Sequence, residues 1–312
     1  MDQTRLVFIL HGQRCPRSLP NRLLEKFGQH FQVDIHITTS AVSAEAMALA
    51  AVTQGCDFLI AVGGDGTIHE VINGVMRAPA AARERVALGA LPFGTGNDFV
   101  RSLGVSDSVE QLDGLIRAGQ VRRIDLGRLT LAGGPEGERV VWFGNIASLG
   151  ISSAIVEQVK RLPRWLPASV AFYWSIVLTL LRYRPRRMQL VVDDGEVISG
   201  EFISLCVANG RYFGSGLGIA PLARLDDGLL EVVMIANAGS WDFVRFLPTL
   251  RKAQPVLDKR VRYLSVRSLR ITGQNCPLEV DGELAGHAPA HIEVVPQVLR
   301  CLSALGAQEG AH

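Results

Sequence analysis

The chain has 312 residues, of which 20% are charged and 48% hydrophobic, and its formal net charge is +2. A nearly neutral balance excludes a bulk electrostatic grip on nucleic acid, while the length suffices for a substantial core and suits two domains better than one. The five cysteines, at 15, 56, 206, 276 and 301, are odd in number and lack C-x-x-C spacing, so they read as reduced thiols of a cytoplasmic protein.

The N-terminal apolar run "RLVFIL" is only a few residues long and no small-residue cleavage site follows it, so it reads as a first strand and not a signal peptide. From there the pattern alternates: strand 5–10, a helix near 20–29, strand 33–38, helix 42–54, strand 58–62, helix 67–77, strand 86–91, then helices near 98–103 and 108–118. Such alternation predicts an open parallel α/β sheet.

Two of its turns are rich in glycine. In "FLIAVGGDGTIHEVINGVM" a buried-type strand runs into Gly63-Gly64 and then into a helix marked by Ile68, Val71, Ile72, Val75 and Met76. Glycines at a strand's end let another group approach the backbone, and the unpaired N–H groups of the helix point back at the turn, which is the geometry of an anion site. The same residues also suit a plain turn, since Thr67 and Glu70 have capping-box spacing. Asp65 would repel a phosphate unless it takes a proton, holds a cation or orients an attacking hydroxyl. About thirty residues on, "VALGALPFGTGNDFVRSL" repeats strand, Gly94-Thr95-Gly96 and helix, with Asn97 or Asp98 as N-cap. One βαβ crossover fits that spacing, so both loops should leave parallel strands at one sheet edge, where ligands bind. Two convergent loops favour the phosphate reading.

Beyond Asp125 the texture changes to strand-like runs separated by Gly and Asp-Gly turns, with helical stretches near 152–183 and 240–252. An antiparallel β-rich second domain is expected, with "DDGEV" as a hairpin. His11 and His69 lie near the glycine loops but have no partner at metal-ligand spacing, so they read as structural.

Four stretches, "GGDGT" at 63–67, "LPFGTGNDF" at 91–99, "NGRYFGSGLGIAPLARLDDGLLEV" at 209–232 and "DGE" at 281–283, resemble the diacylglycerol kinase catalytic superfamily of lipid kinases, in particular its YegS-like bacterial branch. "GGDGT" alone would not separate it from NAD kinases or phosphofructokinases. The resemblance implies an α/β ATP-binding catalytic domain over 1–125, a β-sandwich lipid-substrate domain over 126–295, a cleft between them, and a segment 296–312 that returns to the N-terminal domain. It implies ATP bound by Gly64, Asp65, Gly66, Thr67, Ile68, His69 and Glu70, by Gly94, Thr95, Gly96 and Asn97, and by Thr38. It also implies Glu283 as proton acceptor, and a Mg²⁺ remote from the nucleotide on Asp227 and the carbonyls of Arg224 and Leu229. Asp65 is the second catalytic candidate, as holder of the nucleotide's Mg²⁺ or its water. For Glu283 the pattern alone favours a plain Asp-Gly hairpin with a solvated carboxylate, and it is the resemblance that reverses this. One departure is "HGQR" at 11–14, where the family has an "NP-x-SG" first loop; another is Gly214-Ser215-Gly216 in place of a glycine triplet.

The implied activity is an ATP- and Mg²⁺-dependent lipid kinase acting on a diacylglycerol, phosphatidylglycerol or sphingoid hydroxyl. The alternatives are a soluble-acceptor kinase of the NAD kinase type and a nucleotide-binding regulator without turnover. The expected partners are a lipid substrate and a membrane contacted peripherally and transiently, without nucleic acid; a homodimer is left open. Between 160 and 187, basic residues flank Trp165, Phe172, Tyr173 and Trp174, which suits an interfacial helix as well as one packed on its own domain.

Overall fold

The computed structural model describes residues 3–134, 137–161, 174–175, 178–179, 183–236, 238–273 and 276–304. Most of the basic and aromatic segment expected at the membrane lies outside them, including Arg164, Trp165, Phe172, Tyr173 and Arg182. Among the described residues no helix is long and apolar enough to cross a membrane. The chain divides into two compact units, 1–124 with 297–312, and 125–296.

The first unit is an α/β layer. In chain order it contains β1 (Arg5–Leu10), α1 (Leu19–Phe27), β2 (Gln32–Ile37), α2 (Ala44–Thr53), β3 (Phe58–Gly63), α3 (Asp65–Arg77), α4 (Ala80–Arg83), β4 (Ala87–Pro92), α5 (Asp98–Ser102) and α6 (Val109–Ala118), after which β5 (Val121–Gly134) begins. The strands β2, β1, β3 and β4 lie side by side in that order, all parallel. The apolar runs of β1, β3 and β4 are continuous, as in a parallel sheet covered on both faces, with Leu6 to Ile9 and Leu59 to Val62 fully buried, whereas β2, at the edge, reads QVDIHI and has no buried residue. Cys301, near the end of the chain, pairs with Leu88 and adds a parallel neighbour to β4.

Helix α3 starts at Asp65, two residues before the start that periodicity suggests, because the Gly64 carbonyl already accepts from the amides of Thr67 and Ile68 at 3.0 and 3.2 Å. The short α4 stands where the Ala/Pro/Arg-rich stretch suggests a loop. Pro79, its N-cap at φ −54°, has the fixed φ that starts a helix.

The second unit holds β6 (Gly137–Phe143), β7 (Ile146–Gly150), α7 (Ile151–Arg161), β8 (Arg186–Val192), β9 (Glu196–Ala208), β10 (Leu230–Ala236), α8 (Ser240–Arg251), β11 (Val261–Val266), β12 (Ser268–Gly273), β13 (Pro277–Val280), β14 (Glu283–His287) and the start of β15 (Ala290–Leu302). Antiparallel pairing runs through these strands, and β9 changes neighbours along its length: residues 196–202 pair with β8, whereas 204–208 lie between β7 and β10. Leu149, Leu190, Leu205, Val207, Val232 and Ile271 meet in the enclosed core. The β8–β9 hairpin closes where Val192 pairs with Glu196, and its three-residue loop turns through Asp193 and Asp194 at φ 46° and 56°, with the Gly195 amide donating to the Val192 carbonyl at 2.8 Å.

Helices α2 and α3 approach so closely at Gly74 that an added Cβ would lie 2.3 Å from the Glu45 carbonyl oxygen and 2.7 Å from Ala48 Cβ. Helix propensity alone would favour Gly74→Ala by ~1 kcal/mol. Overpacking costs ~1–3 kcal/mol, and a backbone oxygen has little room to yield. Gly74→Ala should therefore lower the urea midpoint. An unchanged or raised midpoint would show that the two helices separate without cost.

Candidate functional site

In the first unit chain order reverses direction across the sheet between β1 and β3, and ligands of open α/β sheets bind at the carboxyl ends of the strands beside such a point. The loops after β3 and β4 meet there. A Cβ on Gly64 would lie 3.1 Å from the Cα of Gly94 and 3.2 Å from Nη1 of Arg14, and a Cβ on Gly94 would lie 2.6 Å from the Cα of Gly64. The loops thus touch backbone to backbone, leaving no room for a side chain between them.

The carboxylate of Asp65 braces this contact. It accepts from the Asn97 amide at 2.7 Å and, more weakly, from the Phe99 amide at 3.4 Å. Asn97 holds a left-handed φ of 54° and turns its side chain back, with Oδ1 accepting from the Gly94 amide at 3.1 Å and Nδ2 donating to the Gly94 carbonyl at 3.0 Å. Asn97 therefore occupies the N-cap position of α5 without capping it; Asp65, from the neighbouring loop, takes the amides a cap would take. The capping box allowed by Thr67 and Glu70 does not form, because Gly64 is the N-cap of α3 and Glu70 Oε2 instead accepts from the Ala44 amide at 2.8 Å, at the start of α2. Ile68 and Thr67 are buried, Thr95 is exposed at the loop tip, and His69 lies 3.5 Å from the Asn73 amide group. Thr38 braces the loop after β1, its hydroxyl accepting from the Gly12 amide at 3.1 Å.

In the second unit, Asp281 and Gly282 form a tight turn at φ 49° and 87°, closed by pairing of Val280 with Glu283. The turn is fixed from two sides. Asp281 accepts from the amides of Gly144, Asn145 and Ile146 at 3.2, 3.2 and 2.9 Å. Fully buried Glu279 accepts from the Gly282 amide at 2.8 Å and, through its other oxygen, from the Ser148 hydroxyl. Ser152 Oγ lies 2.5 Å from Ser148 Oγ; because a hydroxyl has one proton and Ser148 gives its own to Glu279, Ser152 donates to Ser148. Glu283 projects from this frame with its side chain exposed. A plain surface hairpin needs neither the three amides on Asp281 nor a buried carboxylate under its turn.

The loop 224–229 is pinned by Asp125, fully buried, whose carboxylate accepts from the Gly228 amide and whose own amide donates to the Leu225 carbonyl, both at 2.7 Å. Asp227 Oδ1 accepts from the Leu229 amide at 3.1 Å. Partial burial raises the Asp227 carboxyl above its ordinary value, with the charge of Asp226 adding to the shift and Arg224 opposing it. Close to Asp227 lies Glu231, 4% exposed. Burial pushes it up to about 7, and the Leu222 backbone and the Arg211 charge offset that only in part.

The diacylglycerol kinase catalytic domain matches residues 5–129, and the YegS C-terminal NAD kinase beta sandwich-like domain matches residues 145–303. A diacylglycerol kinase of Mycobacterium tuberculosis is 30% identical over 263 residues, covering 84% of this chain and 82% of that protein. The chain belongs to the diacylglycerol kinase family of lipid kinases. A protein of Chromohalobacter salexigens described as "Probable lipid kinase YegS-like" is 31% identical over 278 residues, covering 89% of this chain and 85% of its own. A crystal structure of a diacylglycerol kinase from Bacillus anthracis superposes with a TM-score of 0.69 over 97% of this chain and 98% of that one; at 19% identity it bears on the fold alone. The α/β unit followed by a β-rich unit is thus the fold of the diacylglycerol kinase family.

Of the residues expected at the nucleotide, this family member brings Gly64, Asp65, Gly94, Gly96 and Asn97 into one cluster, since a Cβ on Gly96 would lie 2.8 Å from Asp65 Oδ2. Glu70 has its carboxylate on α2 and Thr38 its hydroxyl on Gly12. The motifs do not point to Arg14, whose guanidinium overhangs Gly64; Asp98, an N-cap candidate in the sequence, is buried in the first turn of α5 with Asn97 at the cap position. The motifs also pass over Asp125, Ser148 and Glu279, whose partners are too distant in sequence to form a motif. Removing the brace should be costly: Asp65→Ala strands the Asn97 and Phe99 amides and should lose ~1–2 kcal/mol of stability, with Asp65→Asn losing less. Denaturant melts that place Asp65→Ala level with the parent would contradict the brace.

Proposed function

We propose that the protein transfers the γ-phosphoryl group of ATP to the hydroxyl of a lipid, with Mg²⁺ as the metal. The observation that carries this reading is the side-chain-free contact of Gly64 with Gly94 at the sheet's ligand-binding edge, braced by Asp65. Phosphoryl transfer asks a protein mainly for position and charge compensation. The amides of Gly66 at the start of α3 and of Thr95 and Gly96 in the next loop are suited to phosphate oxygens, and the Arg14 guanidinium over Gly64 adds a fork of donors. A bound Mg²⁺ supplies neutralisation of phosphate charge.

The loop 224–229 fits a second cation by its chemistry: a carboxylate raised by burial and by an acidic neighbour gains from a positive charge, and the carbonyls of Arg224 and Leu229 are hard oxygen donors. Among the described residues no group of three or more His, Cys, Asp or Glu side chains is placed to hold a metal, so a cation here would rest on Asp227, carbonyls and water. Asp227→Ala should then reduce the rise in melting temperature on adding Mg²⁺ while leaving ATP affinity intact. An identical Mg²⁺ response in the variant and the parent would contradict the assignment.

Glu283, exposed on a turn held by Asp281 and Glu279, is the acceptor of the hydroxyl proton in this reading. Glu283→Gln should keep fold and ATP affinity but lose about a hundredfold in turnover, the usual scale for a general base; a near-normal rate would remove it from that role. The relatives named for diacylglycerol make diacylglycerol the first acceptor to try, followed by phosphatidylglycerol and a sphingoid base. The activity is tested with γ-labelled ATP and Mg²⁺ on these lipids in vesicles, with NAD as a soluble acceptor. Label in a lipid product supports the proposal. Label in NAD alone favours the NAD kinase type, and ATP binding without any transfer favours a regulator.

A further inference from the structure

The stretch 240–260, helix α8 and the loop after it, carries five basic residues against two acids, a surplus of three where the whole chain has a surplus of two. Both acids are held by one guanidinium: Arg260 reaches Asp242 at 2.7 Å through Nη1, and Asp258 at 2.8 and 2.9 Å through Nε and Nη2. Residues 243–257 contain no acid. Arg251, Lys252 and Lys259 are exposed and make no ion pair among the described residues. In the same stretch Leu257 is 97% exposed. We propose that this face of the second unit docks on the anionic surface of a lipid bilayer, with Leu257 entering between the headgroups. The inference rests on the lipid-kinase reading above and names the surface by which such an enzyme meets its acceptor.

A single exposed leucine is ordinary on a protein surface. Leu257 differs because its neighbours hold it out. Val256 is buried with Phe246 and Leu250 of α8, and its amide donates to the hydroxyl of Tyr263 on β11 at 2.9 Å. Asp258 accepts from the backbone amide of Arg260 at 3.0 Å as well as from its side chain, and its carbonyl accepts from the Val261 amide at 2.9 Å. The Arg260 guanidinium in turn lies 5.8 Å from the centre of the Phe246 ring. With both flanking residues anchored, the leucine has no way to turn inward. On α8, Phe246 and Leu250 are buried, whereas Val244, Pro248, Arg251 and Lys252, at spacings that share one helix face, are exposed. The outward face of α8 thus mixes apolar and basic side chains without an acid, the composition of an interfacial surface.

Charge and apolar area together select the occupant. An acidic protein would offer the cations partners, but a stable protein interface buries ~800 Å² per side around an apolar core. Here the apolar contribution is Leu257 with Val244 and Pro248, not a closed patch. A bilayer asks for less. It needs no matching shape, each cation at an anionic surface strengthens binding about fivefold (~1 kcal/mol), and an apolar side chain gains by leaving water for the acyl boundary.

The test uses the full-length protein and two kinds of vesicle, phosphatidylcholine alone and phosphatidylcholine mixed with phosphatidylglycerol. The parent should sediment with the mixed vesicles, less so in raised salt, and not with phosphatidylcholine alone. Each of Arg251→Gln, Lys252→Gln and Lys259→Gln should weaken binding about fivefold. Leu257→Ala should weaken it at least about fourfold, the worth of one methylene at ~0.8 kcal/mol. All four residues are exposed, so the variants should melt like the parent. A polarity-sensitive NBD fluorophore attached at Leu257→Cys should brighten and shift to the blue on the mixed vesicles. If the parent does not sediment, the proposal is overturned and an acidic protein is left as the occupant. Parent-like sedimentation of all four variants, with a silent fluorophore, also overturns it and moves membrane contact to another face such as 160–187. Phosphorylation of water-dispersed dibutyryl diacylglycerol separates the surface from the chemistry: the variants should keep the parent's rate on it while losing rate on diacylglycerol in mixed vesicles. Vesicle binding that the variants lose, in a protein that phosphorylates no lipid, supports the surface while removing the kinase reading.

Discussion

Everything proposed for the nucleotide depends on two stretches of backbone touching with nothing between them. Strands β3 and β4 are adjacent and in register up to Gly63 and Pro92, so the loops that follow leave the sheet side by side. Only glycine at 64 and 94 lets them close to contact, and the contact brings amides of two loops to one place. Bare amides so concentrated need an acceptor. Asp65 supplies one for Asn97 and Phe99, and Asn97 closes its own loop by bonding both ways to Gly94. The acid in this loop, an apparent obstacle to phosphate binding, thus spends part of its charge on backbone donors, while the amides of Gly66, Thr95 and Gly96 lie beside the contact for an anion to use.

The second unit uses the same device with different residues. Glu283 stands on a turn whose geometry is dictated from below by Asp281, with three amides, and from the side by Glu279, with the Gly282 amide and a serine hydroxyl. A carboxylate so mounted has little freedom in its main chain, and preorganisation of this kind is what the proposed role of Glu283 as proton acceptor asks for. Asp125 fixes the loop 224–229 in the same way, by accepting one amide and donating its own.

In the first unit β1, β3 and β4 are legible in the sequence almost to the residue, because strands buried on both faces write themselves as uninterrupted apolar runs, while the edge strand β2 shows itself by alternation. The misreadings were local. The start of α3 was set two residues late because Gly64, not Thr67, is the cap, and the Thr67/Glu70 spacing suggested a box that tertiary structure overrides by sending Glu70 to α2. Helix α4 was hidden in a loop-like composition that Pro79 starts as a helix. The candidate site was legible where its chemistry lies in short motifs, as at 63–67, 91–99 and 281–283. Elsewhere it was not. Glu279 meets Ser148 from 131 residues away, and Asp125 meets Gly228 from 103, distances over which no spacing rule applies.

The central claim is that the loops after β3 and β4 form one anion-binding unit. Hydrogen exchange of the backbone amides, followed with and without Mg²⁺–ATP, tests it most directly. The account predicts that the amides of Gly66 in one loop and of Thr95 and Gly96 in the other gain protection together and that saturation of both loops tracks one binding constant. Protection confined to one loop, or absent from both while ATP binds elsewhere, would contradict it.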